Sequence, residues 1–145
     1  MSRLGLPVAA LVTTLALSFL RPPSADAAVY DCRNLYTQNN FLEACSSVYT
    51  DFYNWGGNSY TIAWTYPVSQ VQVFSHRGWE KCDGVWYQRW GPYAQTTYNA
   101  TSAVVSGGAY IMDCSWEHYY SAEGGHIVYN SSPLISWYAW TDVIA

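Results

Sequence analysis

Positive charge is scarce in this chain: six Lys and Arg stand in 145 residues, against ten Asp and Glu. Nucleic acid and anionic membrane surfaces are bound by clustered Lys and Arg, so this balance argues against both as partners. No two cysteines have the C-x-x-C spacing, which removes the common zinc-ribbon use of the four present. No Ser occupies a G-x-S-x-G elbow, and no Gly-rich phosphate loop occurs. The three histidines, His76, His118 and His126, have neither the i, i+2 nor the i, i+4 spacing that preforms a metal site. No metal and no cofactor is expected.

Long apolar runs are also absent, except at the start. Arg3 gives a positive beginning, residues 4–20 are almost unbroken in their apolarity, and Ala25, Asp26 and Ala27 have the small-x-small pattern that a signal peptidase reads. These features describe a secretory leader, residues 1–27, with cleavage after Ala27. The run is short for a retained membrane-spanning helix. The expected mature part, residues 28–145, is one secreted, extracellular domain with no membrane span of its own. Setting aside Arg3, Arg21 and Asp26 leaves four basic and nine acidic side chains there, a net charge of −5.

All four cysteines fall in that part, as an oxidising compartment allows. Four cysteines permit three pairings. Cys32–Cys45 and Cys82–Cys114 are favoured because each joins neighbours in sequence. Loops of those lengths would stabilise by about 3 and about 4 kcal/mol in the chain-entropy picture.

From residue 48 onward the apolar pattern has period two. Tyr60, Ile62, Trp64 and Tyr66 alternate with Ser59, Thr61, Ala63 and Thr65, and Val71 and Val73 alternate with Gln70, Gln72 and Phe74. Glycine and proline clusters punctuate the pattern. Gly56-Gly57, Arg77-Gly78, Asp83-Gly84, Gly91-Pro92, Gly107-Gly108, Gly124-Gly125 and Ser132-Pro133 all read as turns or stops. About eight short strands result, which is the signature of a small antiparallel sandwich or barrel. The exception is residues 41–45, where Asn39 and Asn40 can cap a short N-terminal helix that closes one end of the sheet.

Aromatics are the surplus. Twenty-five of the 118 residues after the leader are Phe, Trp or Tyr, more than one core can hide. On a strand over 85–90, Trp86, Gln88 and Trp90 share a face and would offer two indoles with an amide between them. Tyr138 and Trp140 form a similar pair near the end, and Tyr119 and Tyr120 lie beside a Gly-Gly pair. A competing reading packs Trp86 and Trp90 as core against the Cys82–Cys114 bridge. If residues 109–120 form a regular strand, Trp116 shares the face of Cys114 and packs on that bridge as well.

A catalytic set is harder to assemble. Glu117 and His118 point to opposite faces of a strand, and the other carboxylates, Asp51, Glu80, Asp83, Asp113 and Glu123, sit mostly near turns. The best-supported expectation is a secreted, non-catalytic binding domain using exposed Tyr and Trp, its ligand a carbohydrate or another cell-surface polymer. The alternatives are a protein-interaction module (toxin, inhibitor or assembly subunit) and a small hydrolase using Glu117 or His118 with Arg77 or Arg89. Two N-x-S/T sequons stand at Asn99 and Asn130.

Overall fold

A computed structural model describes residues 28–145; the expected leader, residues 1–27, lies outside the described residues. Eight strands follow one another: β1 (Val29–Tyr36), β2 (Phe41–Thr50), β3 (Asn54–Ala63), β4 (Val68–Cys82), β5 (Val85–Ala100), β6 (Ser102–Tyr110), β7 (His118–Ser131) and β8 (Leu134–Ile144). They form two four-stranded antiparallel sheets, ordered β1-β2-β3-β6 and β5-β4-β7-β8. The all-β, two-disulfide expectation holds, in the form of two stacked sheets. Cys32–Cys45 joins directly opposed residues of β1 and β2. Cys82–Cys114 ties the end of β4 to the irregular segment after β6. No helix among the described residues is long and apolar enough to cross a membrane.

The expected helix at 41–45 is a strand. It pairs residue by residue with β1 and β3, with Leu42, Ala44, Ser46 and Val48 on its inner face, and Cys45 and Ser47 between them buried as well. The Asn40 side chain, expected as a cap, instead accepts from Thr65 N and donates to Tyr66 O, bracing the loop after β3.

The larger correction concerns glycine. Gly56-Gly57, Arg77-Gly78, Gly107-Gly108 and Gly124-Gly125 lie inside strands, not at turns. Gly56 faces Gly108 and Gly57 faces Gly107 across the β3–β6 pair. The reason is close approach. A Cβ on Gly78 would stand 2.1 Å from the Trp90 indole, one on Gly107 2.3 Å from it, and one on Gly57 2.8 Å from the Ala122 Cβ. The indole of Trp90 fills the space that side chains at 78 and 107 would need, and Ala122 with the Ser47 carbonyl fills it at 57. Glycine marks both turns and close contacts, and sequence alone does not separate the two. The true turns lie elsewhere. Asp51 caps the β2–β3 turn by accepting from the backbone of Tyr53 and Asn54. Asp83 and Gly84, both at positive φ, bear out their reading as a turn, and the turn is a two-residue β4–β5 hairpin. Gly91 and Pro92 do not stop β5, because β5 is an edge strand and tolerates a missing N–H.

Replacing Gly78 with Ala tests this cradle. At an open strand position Gly→Ala gains about 0.4–1 kcal/mol from the unfolded chain. Against Trp90 it should instead cost about 1–3 kcal/mol. Urea unfolding decides by sign, and a stabilised variant would mean that the indole is not held there.

Inside the sandwich, one apolar cluster gathers Leu42, Val71, Val73, Val128 and Ile135, and a second gathers Val48, Trp55, Trp90, Ala122 and Val143. A buried polar layer separates them: Ser46 on β2, Ser59 and Thr61 on β3, His76 on β4, His126 on β7 and Thr141 on β8.

Candidate functional site

Three groups of side chains have chemistry worth weighing. The first is the polar layer. Its contacts form one chain: Trp90 Nε1 to His76 Nε2 (3.2 Å), His76 Nδ1 to Ser59 (2.8 Å), Ser59 to Ser46 (2.7 Å), Ser46 to Thr141 (2.6 Å), Thr141 to His126 Nε2 (2.8 Å), His126 Nδ1 to Thr61 (2.9 Å) and Thr61 to Gln72 O (3.0 Å). Run in that direction, every donor has an acceptor if both imidazoles are neutral and carry their proton on Nδ1; Gly57 O, 3.1 Å from His76 Nε2, is the acceptor that the other His76 tautomer would use. Burial drives both histidines the same way. His126 is pushed down to about 4, by desolvation first and then by His76, and His76 is lowered by desolvation. The layer is sealed from solvent, so it organises the core and does not meet a ligand.

The second group centres on Glu80, which is fully buried. One of its oxygens accepts from Trp55 Nε1 (3.1 Å) and from Arg89, the other from Met112 N (2.7 Å) and His118 Nε2 (2.6 Å). Tyr120 packs against both His118 and Trp55, and burial, with the Glu80 charge, pushes its phenol up to about 12. Of the residues named for a hydrolase, Arg89 and His118 thus meet on one carboxylate. Glu117 pairs instead with Lys81 (2.8 Å), and Arg77 lies on the opposite face of β4. Both His118 nitrogens have partners, Glu80 on one and the Tyr120 hydroxyl at 3.4 Å on the other. Glu80, Cys114 and His118 are close enough to share an ion, but Cys114 is in a disulfide and Glu80 is saturated by donors. These bonds describe a structural knot.

The third group is the outer face of the β5-β4-β7-β8 sheet. The expected trio Trp86, Gln88 and Trp90 is divided there. Gln88 pairs with Trp79 and Trp90 with Gly78, so one residue of β5, Arg89, has no counterpart on β4. This bulge reverses the alternation. Trp86 and Gln88 stay outward, whereas Trp90 turns inward and is 5 % exposed. Tyr119 and Tyr120 also part, as strand neighbours must. Tyr119 is exposed on the outer face beside Lys81, and Tyr120 faces the Glu80 knot. Trp116 does not lie on a strand. Residues 111–117 are irregular, held by Asp83, whose carboxylate accepts from the backbone N–H groups of Ser115 and Trp116, bonds that lower its pKa. Trp116 is largely exposed, which removes the geometric ground for placing it on the bridge.

Tyr138 and Trp140 do share the outer face, and they have a companion that the sequence reading left unnamed as a site residue. Phe74 stacks on Tyr138 (5.4 Å) and tilts against Trp140 (6.0 Å). It reaches them by lying across Gly125, where a Cβ would stand 2.3 Å from its ring. One strand step further along β8, Asp142 opposes Glu123 of β7, and beyond them Ile144 opposes Ser121. These four line a groove of about 250 Å³ with Trp79 and Trp86. Platform and groove therefore form one continuous strip, about 20 Å long from Tyr138 to Ile144 at about 3.3 Å per residue. The sequon at Asn130 is not available for a glycan in this fold, since its side chain is buried, accepts from Ser69 and donates to Pro133 O. No protein-family model matches the chain, and no curated protein matches it in sequence.

Proposed function

We propose that this protein is a secreted, non-catalytic binding domain whose ligand is a carbohydrate chain lying along the outer face of the β5-β4-β7-β8 sheet. The observation that carries this reading is the Phe74–Tyr138–Trp140 cluster. Three rings are packed together on one sheet face, yet Tyr138 remains 62 % and Trp140 39 % exposed. A sheet holds such rings rigidly, so little conformational entropy is lost when a flat ligand stacks on them. Sugar rings present apolar C–H faces of matching size, with hydroxyls at their edges for the neighbouring polar groups. The acidic balance of the chain favours a partner without dense negative charge. The two disulfides support an extracellular setting.

Pull-down on insoluble polysaccharides, read out by tryptophan emission, tests the proposal. Tyr138→Ala and Trp140→Ala should each weaken binding about tenfold, as loss of an aromatic anchor does. Phe52→Ala, in the exposed β2–β3 loop away from this face, should not. Equal binding by all three variants would remove the platform from the site.

A further inference from the structure

The groove beside the platform has an unusual balance of polar groups. Two donors from the outward face of β4 are buried without a partner, Arg77 Nε and Trp79 Nε1. Directly across β7 and β8 are two carboxylates, Glu123 and Asp142, opposed in register on the same face. Neither makes an ion pair among the described residues. Asp142 accepts from Ser121 Oγ (2.9 Å), and its own backbone N–H is held by Asp31 of β1 (2.9 Å). Like charges directly opposed across strands destabilise a sheet, and buried unpartnered donors do the same. The strip therefore sets two unpartnered donors beside two carboxylates that form no ion pair, and the indoles of Trp79 and Trp86 line the groove with those carboxylates.

The ligand that answers this set must both donate and accept. An ammonium group would satisfy Glu123 and Asp142, but it would meet Arg77 and leave the Trp79 N–H alone. A carboxylate or sulfate would satisfy the two donors and be repelled by the two acids. A hydroxyl does both, and adjacent hydroxyls on a sugar ring match a carboxylate's two oxygens. We infer that the groove lined by Trp79, Trp86, Ser121, Glu123 and Asp142 is a hydroxyl-reading subsite, and that the ligand class is a neutral glycan, neither amine-bearing nor acidic. This inference rests on the glycan reading above. It divides the strip into a platform that grips ring faces and a groove that selects among sugars.

The test is a panel of immobilised neutral, amine-bearing, and uronic or sulfated oligosaccharides, probed with the disulfide-bonded protein. Binding should be confined to neutral members. Ionic strength raised from about 0.05 to about 0.5 M should leave the affinity for the strongest of them within about twofold, because no ion pair forms. Glu123→Gln and Asp142→Asn keep shape and remove charge. Each should weaken that neutral glycan at least about fivefold, the difference between a charge-assisted and a neutral hydrogen bond. Circular dichroism of each variant controls for folding. Strongest binding to a charged glycan overturns the inference. So does neutral binding kept within about twofold by both acid variants but lost in Trp140→Ala, an outcome that leaves the glycan reading standing. Binding to no member of the panel overturns both.

Discussion

Acidification from pH 6.5 to 4 should cost this domain on the order of 3 kcal/mol through His126 alone. In the unfolded chain an imidazole takes its proton near pH 6.5. In the folded core His126 is held down to about 4 by burial and by His76. Between those values the unfolded state binds one more proton than the native state, so stability falls as pH falls, by about 1.4 kcal/mol per unit. The contribution is complete above about 6.5 and is lost as pH approaches 4. His76 is shifted in the same direction by the same desolvation and steepens the slope. Desolvation is the leading physical reason at both histidines. A second proton on His126 Nε2 would make the Thr141 hydroxyl accept and turn its own proton toward Gly124 O (3.3 Å), and one on His76 Nε2 would find Gly57 O (3.1 Å) but displace the Trp90 N–H. Urea unfolding at several pH values between 7 and 4.5 gives the slope. His126→Gln should flatten it by about one proton whatever it does to stability at pH 7. A parent protein equally stable at pH 7 and pH 5 would show that the layer is hydrated and not sealed.

Glu80→Ala should be the most damaging single substitution outside the apolar core, at about 3–5 kcal/mol. The carboxylate is fully buried and holds Trp55, Arg89, His118 and the backbone of Met112 at once. Its removal leaves the Arg89 charge without its partner and orphans three more donors, Trp55 Nε1, Met112 N and His118 Nε2. The reciprocal change, Arg89→Ala, should cost clearly less. Arg89 is partly exposed, and Glu80 would keep three other donors. That asymmetry is the readout. Equal losses in the two variants would mean that the ion pair, and not the fourfold satisfaction of Glu80, is what stabilises the knot. Glu80→Gln should fall between them, since an amide keeps one acceptor but turns a donor toward Arg89.

The sequence left Trp86 between a surface and a core reading and grouped Tyr119 with Tyr120, but Tyr138 and Trp140 could be placed on one face, because strict alternation near a strand end needs no knowledge of partners. Trp90 could not. Its face depends on a bulge at Arg89, which appears only when β5 is laid against β4. Phe74 was legible as outward-facing, but not as part of a platform, because its neighbours Tyr138 and Trp140 are more than sixty positions away. Glu123 and Asp142 carried no sequence signal at all. Each is an ordinary acid on a strand, and their opposition is a matter of register between β7 and β8.

The sequence by itself determined the class of the molecule: period-two apolarity from residue 48 on, Asp83-Gly84 as a turn, cysteines pairing with their neighbours, and too many aromatic rings for one core. All of these are local patterns, and local patterns carry their meaning in the residues that form them. The tertiary structure alone decided what each glycine pair is for, which side of the sheet Trp90 faces, and where three histidines, one glutamate and a row of hydroxyls find their partners. The physical reason is that a glycine signals only the absence of a side chain. Whether that absence serves a turn or makes room for an indole depends on the strand that packs against it. A buried polar group, likewise, is defined by its acceptor, and here the acceptors lie on other strands, from nine to ninety-five positions away.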